Sequence, residues 1–263
     1  MGEVVVITSG KGGVGKTATT AGLGAALCME GKSVVVIDAD IGLRNLDVAL
    51  GLEDKVVYDL VDVVEQNCRL RQALVRHTNY EKLYLLAASQ TREKEDVSPE
   101  KMQMLCRELK ENYDYILIDS PAGIGHGFSN AAAGADRAIV VTVPETAAVR
   151  DADRVIARLE EEGIESRSLV INRMRPALEA QGAILRTEEI IEWLGVPLLG
   201  IVPEDEAVLL QSARSGLVPE AAGSMAAQAY KNIAGRLGGR EVPLMDMTGK
   251  KRRRFFFRKK IRK

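Results

Sequence analysis

Short runs of β-branched and other apolar residues alternate along this chain with longer segments that have helical spacing. Seven short runs fit strands, at 4–8, 33–38, 83–88, 115–119, 138–143, 168–172 and 197–202. The longer segments are 16–30, 99–112, 146–162, 205–213 and 223–238. Continuous β-branched runs on this spacing are typical of a parallel sheet that is covered on both faces. The sequence therefore predicts an α/β fold with a doubly wound, mostly parallel sheet flanked by helices.

The length and composition fit one large domain followed by a short, distinct C-terminus. The chain has 263 residues, of which 46% are apolar and 28% charged. We predict one domain over residues 1–239. Residues 240–249 show no sustained period and are interpreted as a linker, and residues 250–263 as a separate tail.

Cysteine usage and hydropathy indicate the cellular compartment in which the protein works. Cys28, Cys68 and Cys106 are odd in number and lie outside any CxxC arrangement, which argues against a disulfide framework. This pattern is typical of a reducing cytoplasm. No apolar run approaches the roughly 18 to 20 residues that cross a bilayer. We therefore expect a cytoplasmic location.

The stretch GKGGVGKT, Gly10–Thr17, stands between the first strand and the first helix. It fits G-x-x-x-x-G-K-[ST], in which backbone N–H groups of a glycine-rich turn and the start of a helix surround phosphate oxygens. Lys16 is expected to reach the β- and γ-phosphates, and the Thr17 hydroxyl to bind Mg²⁺. The sequence therefore predicts a P-loop NTPase fold with a nucleoside triphosphate and Mg²⁺ as ligands.

Carboxylates close two of the predicted strands. Asp38 and Asp40 end the second strand, and Asp119 ends the strand YILID. Open parallel sheets bind ligands at the carboxyl ends of their strands, so these side chains are placed to act on Mg²⁺ or on an attacking water. Asp38 and Asp119 are candidate metal ligands together with Thr17. The following turn, SPAGIG, is a candidate sensor of the γ-phosphate.

A second lysine in the loop, Lys11, gives KGGVGKT, which resembles the deviant Walker A (ParA/MinD) family of P-loop ATPases. The resemblance implies a nucleotide-sandwich homodimer in which Lys11 reaches the partner's phosphates and takes the role of an arginine finger. It assigns Asp40 to orienting the attacking water, so the catalytic candidates are Lys11, Lys16 and Asp40. Family members usually carry Thr or Ser at the position of Ala18, so the affinity for ATP is expected to be lower here.

The family reads adenine from loops after late strands, which correspond here to residues 172–173 and 203–204. Local chemistry gives an equal alternative, in which Asn172 ends a strand and VPED caps the next helix. The nucleotide-contacting candidates are Lys11, Gly12, Gly13, Val14, Gly15, Lys16, Thr17, Ala18, Asn172, Arg173, Pro203 and Glu204.

The stretches DADIGLRNLD, VVYD, ASQTR, DSPAGI, VRDADR and VPED are similar to the septum-site-determining (MinD) branch of that family. This resemblance implies ATP hydrolysis by a membrane-bound dimer, with a MinC-like division inhibitor and a MinE-like activator as partners. It assigns partner docking to Arg150, Asp151 and Asp153. An acidic first helical turn that complements the helix dipole explains the same residues without a partner.

The tail KKRRRFFFRKKIRK contains ten Lys or Arg and three of the four Phe in the chain. The whole chain has 36 Lys and Arg against 37 Asp and Glu, so without the tail 26 basic residues remain and the body is acidic. Basic and apolar residues together favour an anionic phospholipid membrane. The candidate membrane contacts are Arg254, Phe255, Phe256, Phe257, Arg258 and Ile261. We therefore predict reversible peripheral binding to the inner face of the cell membrane.

Two related functions stay open at this point. Chromosome- or plasmid-partition ATPases bind DNA, and a basic tail would also suit nucleic acid. Three consecutive Phe favour the membrane, so nucleic acid is the less favoured partner. Flagellar-number regulators of the same family usually have a segment ahead of the first strand, whereas the sequence here begins at the strand.

Overall fold

A computed structural model describes residues 1–93, 96–213, 217–245 and 247. Its strands are β1 (Glu3–Thr8), β2 (Val34–Asp38), β3 (Val75–Arg76), β4 (Leu83–Leu86), β5 (Tyr115–Asp119), β6 (Arg137–Thr142), β7 (Arg167–Met174) and β8 (Leu198–Pro203). They form one sheet in the order β3-β4-β2-β5-β1-β6-β7-β8. Every pair is parallel except β3 with β4, which is antiparallel. The predicted doubly wound, mostly parallel sheet is confirmed.

Helices cover both faces of the sheet. They are α1 (Lys16–Met29), α2 (Leu46–Leu50), α3 (Leu60–Val64), α4 (Leu70–Ala73), α5 (Pro99–Lys110), α6 (His126–Ala132), α7 (Thr146–Glu161), α8 (Pro176–Ala180), α9 (Thr187–Leu194), α10 (Glu206–Ala213) and α11 (Met225–Leu237). Short 3₁₀ turns occur at Glu53–Lys55 and Val218–Glu220. The sequence indicated α1, α5, α7, α10 and α11, but not the remaining helices, of which α9 has the same length as α10.

Helix starts show the local chemistry behind these boundaries. Ser98 accepts a hydrogen bond from the Lys101 amide at 3.4 Å, and Pro99 follows it at the first helical position of α5. The Ser224 hydroxyl likewise accepts from the Ala227 amide at 3.0 Å at the start of α11. These side chains satisfy backbone donors that the first helical turn leaves without a partner.

The sheet separates two apolar clusters because its residues alternate between faces. In β1, Val4 and Val6 belong to the cluster that also contains residues of α5, α7 and α9. Val5 and Ile7 belong to the cluster with residues of α1 and α11. Strands buried on both sides explain why the sequence shows continuous apolar runs rather than alternation.

The strand order brings three functional segments together. β1, which leads into the glycine-rich loop, lies beside β5, and β5 lies beside β2. In the strand register Asp38 is paired with Asp119, and Ile7 is paired with Asp119 on the other side. The loop and both carboxylates therefore meet at the carboxyl edge of the sheet. No helix within the described ranges is long and apolar enough to cross a membrane.

Candidate functional site

The centre of the site is a buried ion pair between the loop lysine and the carboxylate that ends β5. Lys16 Nζ lies 2.7 Å from Asp119 Oδ1, and the two side chains are 8% and 1% exposed. The Thr17 hydroxyl donates to Asp119 Oδ2 at 2.6 Å. Thr20, one helical turn after Lys16, donates to Asp119 Oδ1 at 3.3 Å. Both oxygens of this carboxylate are therefore held by side chains of the first turns of α1.

Asp38 orders the segment that follows its own strand. Its Oδ1 accepts the Asp40 amide at 3.0 Å, and its Oδ2 accepts the Asn45 and Leu46 amides, each at 3.0 Å. The Asp38 carboxylate thus binds both ends of the segment 40–46. Asp40 itself is half-buried at the start of this segment.

The two carboxyl groups lie in an environment that disfavours negative charge. Burial raises the pKa of Asp38 to about 6, and the neighbouring Asp119 carboxylate adds to the shift. Burial also raises the pKa of Asp119, while Lys16 and the Thr17 and Thr20 hydroxyls act in the opposite direction. A cation placed between the phosphate loop and these strands would relieve this cost.

The glycine-rich loop is held open by its backbone and by a neighbouring strand. Gly13 and Gly15 have φ of 80° and 93°, values that favour glycine. A Cβ on Gly12 or Gly13 would meet no atom within 4 Å, so this part of the loop faces open space. Asn172 Nδ2, from β7, donates to the Val14 carbonyl at 2.8 Å.

The close approach of Asn172 explains why residue 15 is a glycine. A Cβ on Gly15 would lie 2.2 Å from Asn172 Nδ2. The sequence predicted a base-reading role for Asn172. The structure shows this side chain buried and bound to the loop backbone, and its contact with adenine stays a prediction.

The second loop lysine has a different environment. Lys11 Nζ lies 3.8 Å from a carboxylate oxygen of Glu145, the residue before α7, and the two side chains are 49% and 62% exposed. Exposed pairs of this kind contribute between zero and about 1 kcal/mol. Lys11 is therefore accessible to a ligand or to another copy of the chain.

The ends of β7 and β8 form one wall of a groove next to the loop. Arg175 pairs with Glu204 through two hydrogen bonds, and the one between Nη2 and Oε1 is 2.6 Å long. Arg173 adopts a left-handed φ of 53°. The groove has a volume of about 140 Å³, and its lining includes Glu145, Arg173, Arg175 and Glu204. The predicted residues Asn172, Arg173, Pro203 and Glu204 therefore all lie at the same edge of the sheet as the loop.

Helix α7 packs directly against the phosphate loop. A Cβ on Gly10 would lie 2.2 Å from the Asp151 carbonyl oxygen, so only glycine fits at this contact. Arg150 and Asp153 are exposed on the same helix, whereas Asp151 is half-buried. The predicted docking residues thus lie on an element that touches the nucleotide loop.

Ala18 is half-buried in the first turn of α1 and offers no hydroxyl. The predicted membrane contacts Arg254, Phe255, Phe256, Phe257, Arg258 and Ile261 all lie outside the described residues.

Sequence reasoning missed two side chains of the site. Thr20 contacts Asp119, and its spacing of four residues from Lys16 was the available signal, since these positions share a helix face. Glu145 pairs with Lys11 across 134 positions of the chain, and no local pattern indicates such a contact.

The donor set fits Mg²⁺ bound together with a nucleotide. A hydroxyl, Thr17 Oγ1, and a strand-end carboxylate, Asp119, lie in hydrogen-bond contact beside an open loop. Mg²⁺ commonly takes one or two protein oxygens and completes its shell with phosphate oxygens and water. Among the described residues there is no group of three or more His, Cys, Asp or Glu that could hold a metal. The oxygen count therefore suits a metal that arrives with phosphate.

Comparisons with known proteins agree with this geometry. The model of the CobQ/CobB/MinD/ParA nucleotide binding domain matches residues 5–218. The septum site-determining protein MinD of Bacillus subtilis is 52% identical over 246 residues, which cover 93% of this chain and 92% of that protein.

Two solved structures extend the comparison to the fold. A chain of the MinC:MinD cell division protein complex from Aquifex aeolicus superposes with a TM-score of 0.87 at 43% identity, covering 93% of this chain and 99% of that one. The Mg-ADP complex of MinD from Pyrococcus horikoshii gives 0.82 at 31% identity and covers 90% and 96%. A buried Lys16–Asp119 pair, a second lysine in the loop and these matches lead to one conclusion: the chain belongs to the MinD branch of the CobQ/CobB/MinD/ParA family of nucleotide-binding ATPases.

Proposed function

We propose that this protein is a Mg-ATP-dependent dimerising ATPase that binds the inner membrane surface through its C-terminal tail and positions the division septum by recruiting a division inhibitor. The observation that carries the proposal is the presence of two lysines with different environments in one phosphate loop. Lys16 is buried on Asp119, and Lys11 is exposed. The first suits binding of phosphate within one subunit, and the second suits contact with phosphate of another subunit.

Binding of ATP uses groups that the fold already holds in place. The backbone N–H groups of residues 12–17 surround the phosphates, and the first turn of α1 adds its positive dipole end. Lys16 exchanges its contact with Asp119 for the β- and γ-phosphate oxygens. Thr17 and Asp119, with Asp38 as the further predicted ligand, would hold Mg²⁺, which would supply positive charge against the phosphate charge that develops during hydrolysis.

Hydrolysis depends on the segment that Asp38 orders. Because Asp38 accepts the Asp40 amide at 3.0 Å, it sets the position from which the Asp40 carboxylate orients the attacking water. Lys11 of each subunit stabilises charge on the phosphates of the other subunit, as an arginine finger does. Water attacks the γ-phosphorus, and the bond to the β-phosphate oxygen breaks to give ADP and phosphate.

Dimerisation would control membrane binding through the number of tails. One tail gains about 1 kcal/mol per basic residue at an anionic surface, and ordering entropy offsets much of this gain. Two tails on one dimer raise the apparent affinity by ~10²–10⁴ because the second binds at a high effective concentration. Residues 1–239 would thus form the switch, and residues 250–263 its output.

Partner docking would take place on α7. The solved MinC:MinD complex of Aquifex aeolicus supports a MinC-like partner for this chain. Arg150 and Asp153 are exposed, and the backbone of α7 touches Gly10 of the loop. A MinE-like activator that binds the same helix could therefore act on the loop over a short distance.

Sedimentation with anionic vesicles in ATP and in ADP tests the proposal. We expect the protein to sediment with vesicles in ATP and to remain in the supernatant in ADP. Equal binding in both states would contradict the switch. Binding to DNA in place of vesicles, retained when Phe255, Phe256 and Phe257 are changed to Ser, would favour a partition-type ATPase instead.

The Asp40→Ala variant separates turnover from attachment. We expect it to bind ATP and vesicles like the wild type while its hydrolysis rate falls at least ~100-fold, since positioning of the water is lost. Phosphate release and vesicle sedimentation are measured on the same sample. Loss of attachment together with turnover would show that Asp40 is needed for the dimer itself.

A further inference from the structure

Arg236, in the last turn of α11, binds three backbone carbonyl groups at once. Its Nη1 donates to Leu199 O at 2.6 Å, its Nε to Val242 O at 2.7 Å and its Nη2 to Pro243 O at 2.8 Å. Each nitrogen of the guanidinium thus has its own acceptor, an arrangement that a lysine cannot reproduce because its donors share one nitrogen. The side chain connects the sheet to the segment that follows α11.

The sheet contact of Arg236 is at an edge. Among the described residues, β8 is the last strand in the sheet order and has no strand on its outer side. α11 lies directly against this strand, because a Cβ on Gly200 would lie 2.3 Å from the Ile233 side chain. Arg236 therefore binds a carbonyl of the last strand and uses its other two nitrogens to hold the segment that follows α11.

Further contacts hold the same segment at both ends. The Arg240 amide donates to Gly235 O at 2.9 Å, and its side chain pairs with Glu30 just after α1. Met245 packs against the apolar cluster of α1 and α11 and, with Leu244, lines a small cleft beside Arg236. Residues 240–245, here called the strap, form no helix or strand but are bound to the domain along their length.

We infer that Arg236 is a positioning residue for the membrane tail: it holds the strap on the edge of β8, so that the tail leaves the domain from a fixed place through a short connection. The inference rests on the proposed function, since it concerns how the tail reaches a membrane. Met247 also packs against the apolar cluster of α5, α7 and α9. With the strap bound, at most residues 246–249 therefore separate the domain from the tail. With the strap and Met247 released, the connection is residues 240–249.

The length of the connection sets how strongly two tails cooperate. The effective concentration of the second tail falls roughly as the −3/2 power of the connection length once that length exceeds the distance to be spanned. An increase from four to ten residues lowers it about fourfold. The strap would therefore increase the difference between monomer and dimer binding without any contact to the lipid.

The experiment compares Arg236→Gln with Lys231→Gln, which removes one positive charge from an exposed position of the same helix. Cleavage by a glutamate-specific protease after Glu241, identified by mass spectrometry, reports whether the strap is bound. We expect cleavage of Arg236→Gln to be about tenfold faster than in wild type and in Lys231→Gln, because the open state is more populated. We expect its affinity for anionic vesicles in ATP to be about fourfold weaker, with unchanged affinity for the nucleotide.

A second variant avoids any damage to the fold. Six Gly and Ser residues inserted between Gly249 and Lys250 lengthen the connection while leaving Arg236 in place. We expect the same loss of vesicle affinity, with wild-type cleavage at Glu241. Unchanged vesicle binding in both variants, or tighter binding, would overturn the positioning role, and unchanged cleavage of Arg236→Gln would overturn the strap. If the wild type itself fails to bind vesicles, the proposed membrane function is wrong, and the cleavage rates still decide whether Arg236 holds the strap.

Discussion

Two lysines five positions apart in one loop have opposite environments. Lys16 is 8% exposed and lies 2.7 Å from the buried Asp119, whereas Lys11 is 49% exposed and lies 3.8 Å from the exposed Glu145. A buried pair is strongly destabilising to break, because the remaining charge has no water around it. An exposed pair is readily exchanged for another partner.

The difference in exposure suits the two lysines to different roles in the proposed function. Lys16 lies beside the glycine-rich loop on the buried Asp119, and the Thr17 and Thr20 hydroxyls hold that carboxylate in place. Lys11 is held weakly on α7 and can leave Glu145 when a better anion is offered. Under the proposed function, this loop would bind nucleotide through Lys16 in one subunit and contact the nucleotide of another subunit through Lys11.

The largest expected effect comes from Lys16→Ala. Loss of the phosphate contact lowers ATP affinity at least ~100-fold, and the buried Asp119 left behind lowers the free energy of unfolding by about 3 kcal/mol. Calorimetric titration and urea unfolding measure the two effects. If the free energy of unfolding of this variant equals that of the wild type, the Lys16–Asp119 pair does not stabilise the fold.

Lys11→Ala should affect hydrolysis but neither ATP binding by the monomer nor stability. We expect the hydrolysis rate to fall ~100-fold or more, as with removal of an arginine finger, while the monomer binds ATP as the wild type does. The free energy of unfolding should change by less than about 1 kcal/mol. Lys32→Ala, at another exposed lysine, is the control for charge. If Lys11→Ala hydrolyses ATP as fast as the control variant, Lys11 has no role in catalysis.

Thr20→Val tests the support beneath Lys16. Valine has nearly the shape of threonine but lacks the buried hydroxyl, which contacts Asp119 at 3.3 Å and the Lys16 carbonyl at 3.1 Å. We expect unfolding free energy to fall by about 1 kcal/mol. Thr8→Val is a matched control, because the buried Thr8 hydroxyl has no hydrogen-bond partner among the described residues. Equal effects of the two changes would mean that the Thr20 contact contributes nothing.

Glu145→Gln should have the smallest effect. Removing the exposed carboxylate releases Lys11, so ATP-dependent dimerisation should tighten by up to about threefold with almost no change in stability. Analytical ultracentrifugation in ATP measures the dimer. Weaker dimerisation would show that Glu145 assists the assembled state.

Local sequence patterns predicted the phosphate-binding residues around Lys16 well. The loop, Lys16, Thr17 and the strand-end Asp119 follow from spacing and from the parallel strand order, and the structure brings them together. These elements are predictable because a glycine-rich turn between a buried strand and a helix has one geometry.

Contacts between distant segments were not predictable. The Lys11–Glu145 pair, the Asn172 bond to the loop and the Arg236 contacts all join residues whose meeting depends on tertiary packing. The two-residue strand β3, which pairs antiparallel with β4, is too short to show a period, and no strand was predicted there. Within the predicted linker, residues 240–245 carry no repeat because single side chains, and not a periodic face, bind them to the domain.

Both outer strands of the sheet are poor templates for aggregation. β3 offers two residues, and the Arg236 guanidinium binds the Leu199 carbonyl of β8, against which α11 packs. Long, uncovered edges recruit strands from other molecules, and proteins avoid this by shortening or covering them. Copies at high local concentration would therefore resist joining into a continuous sheet.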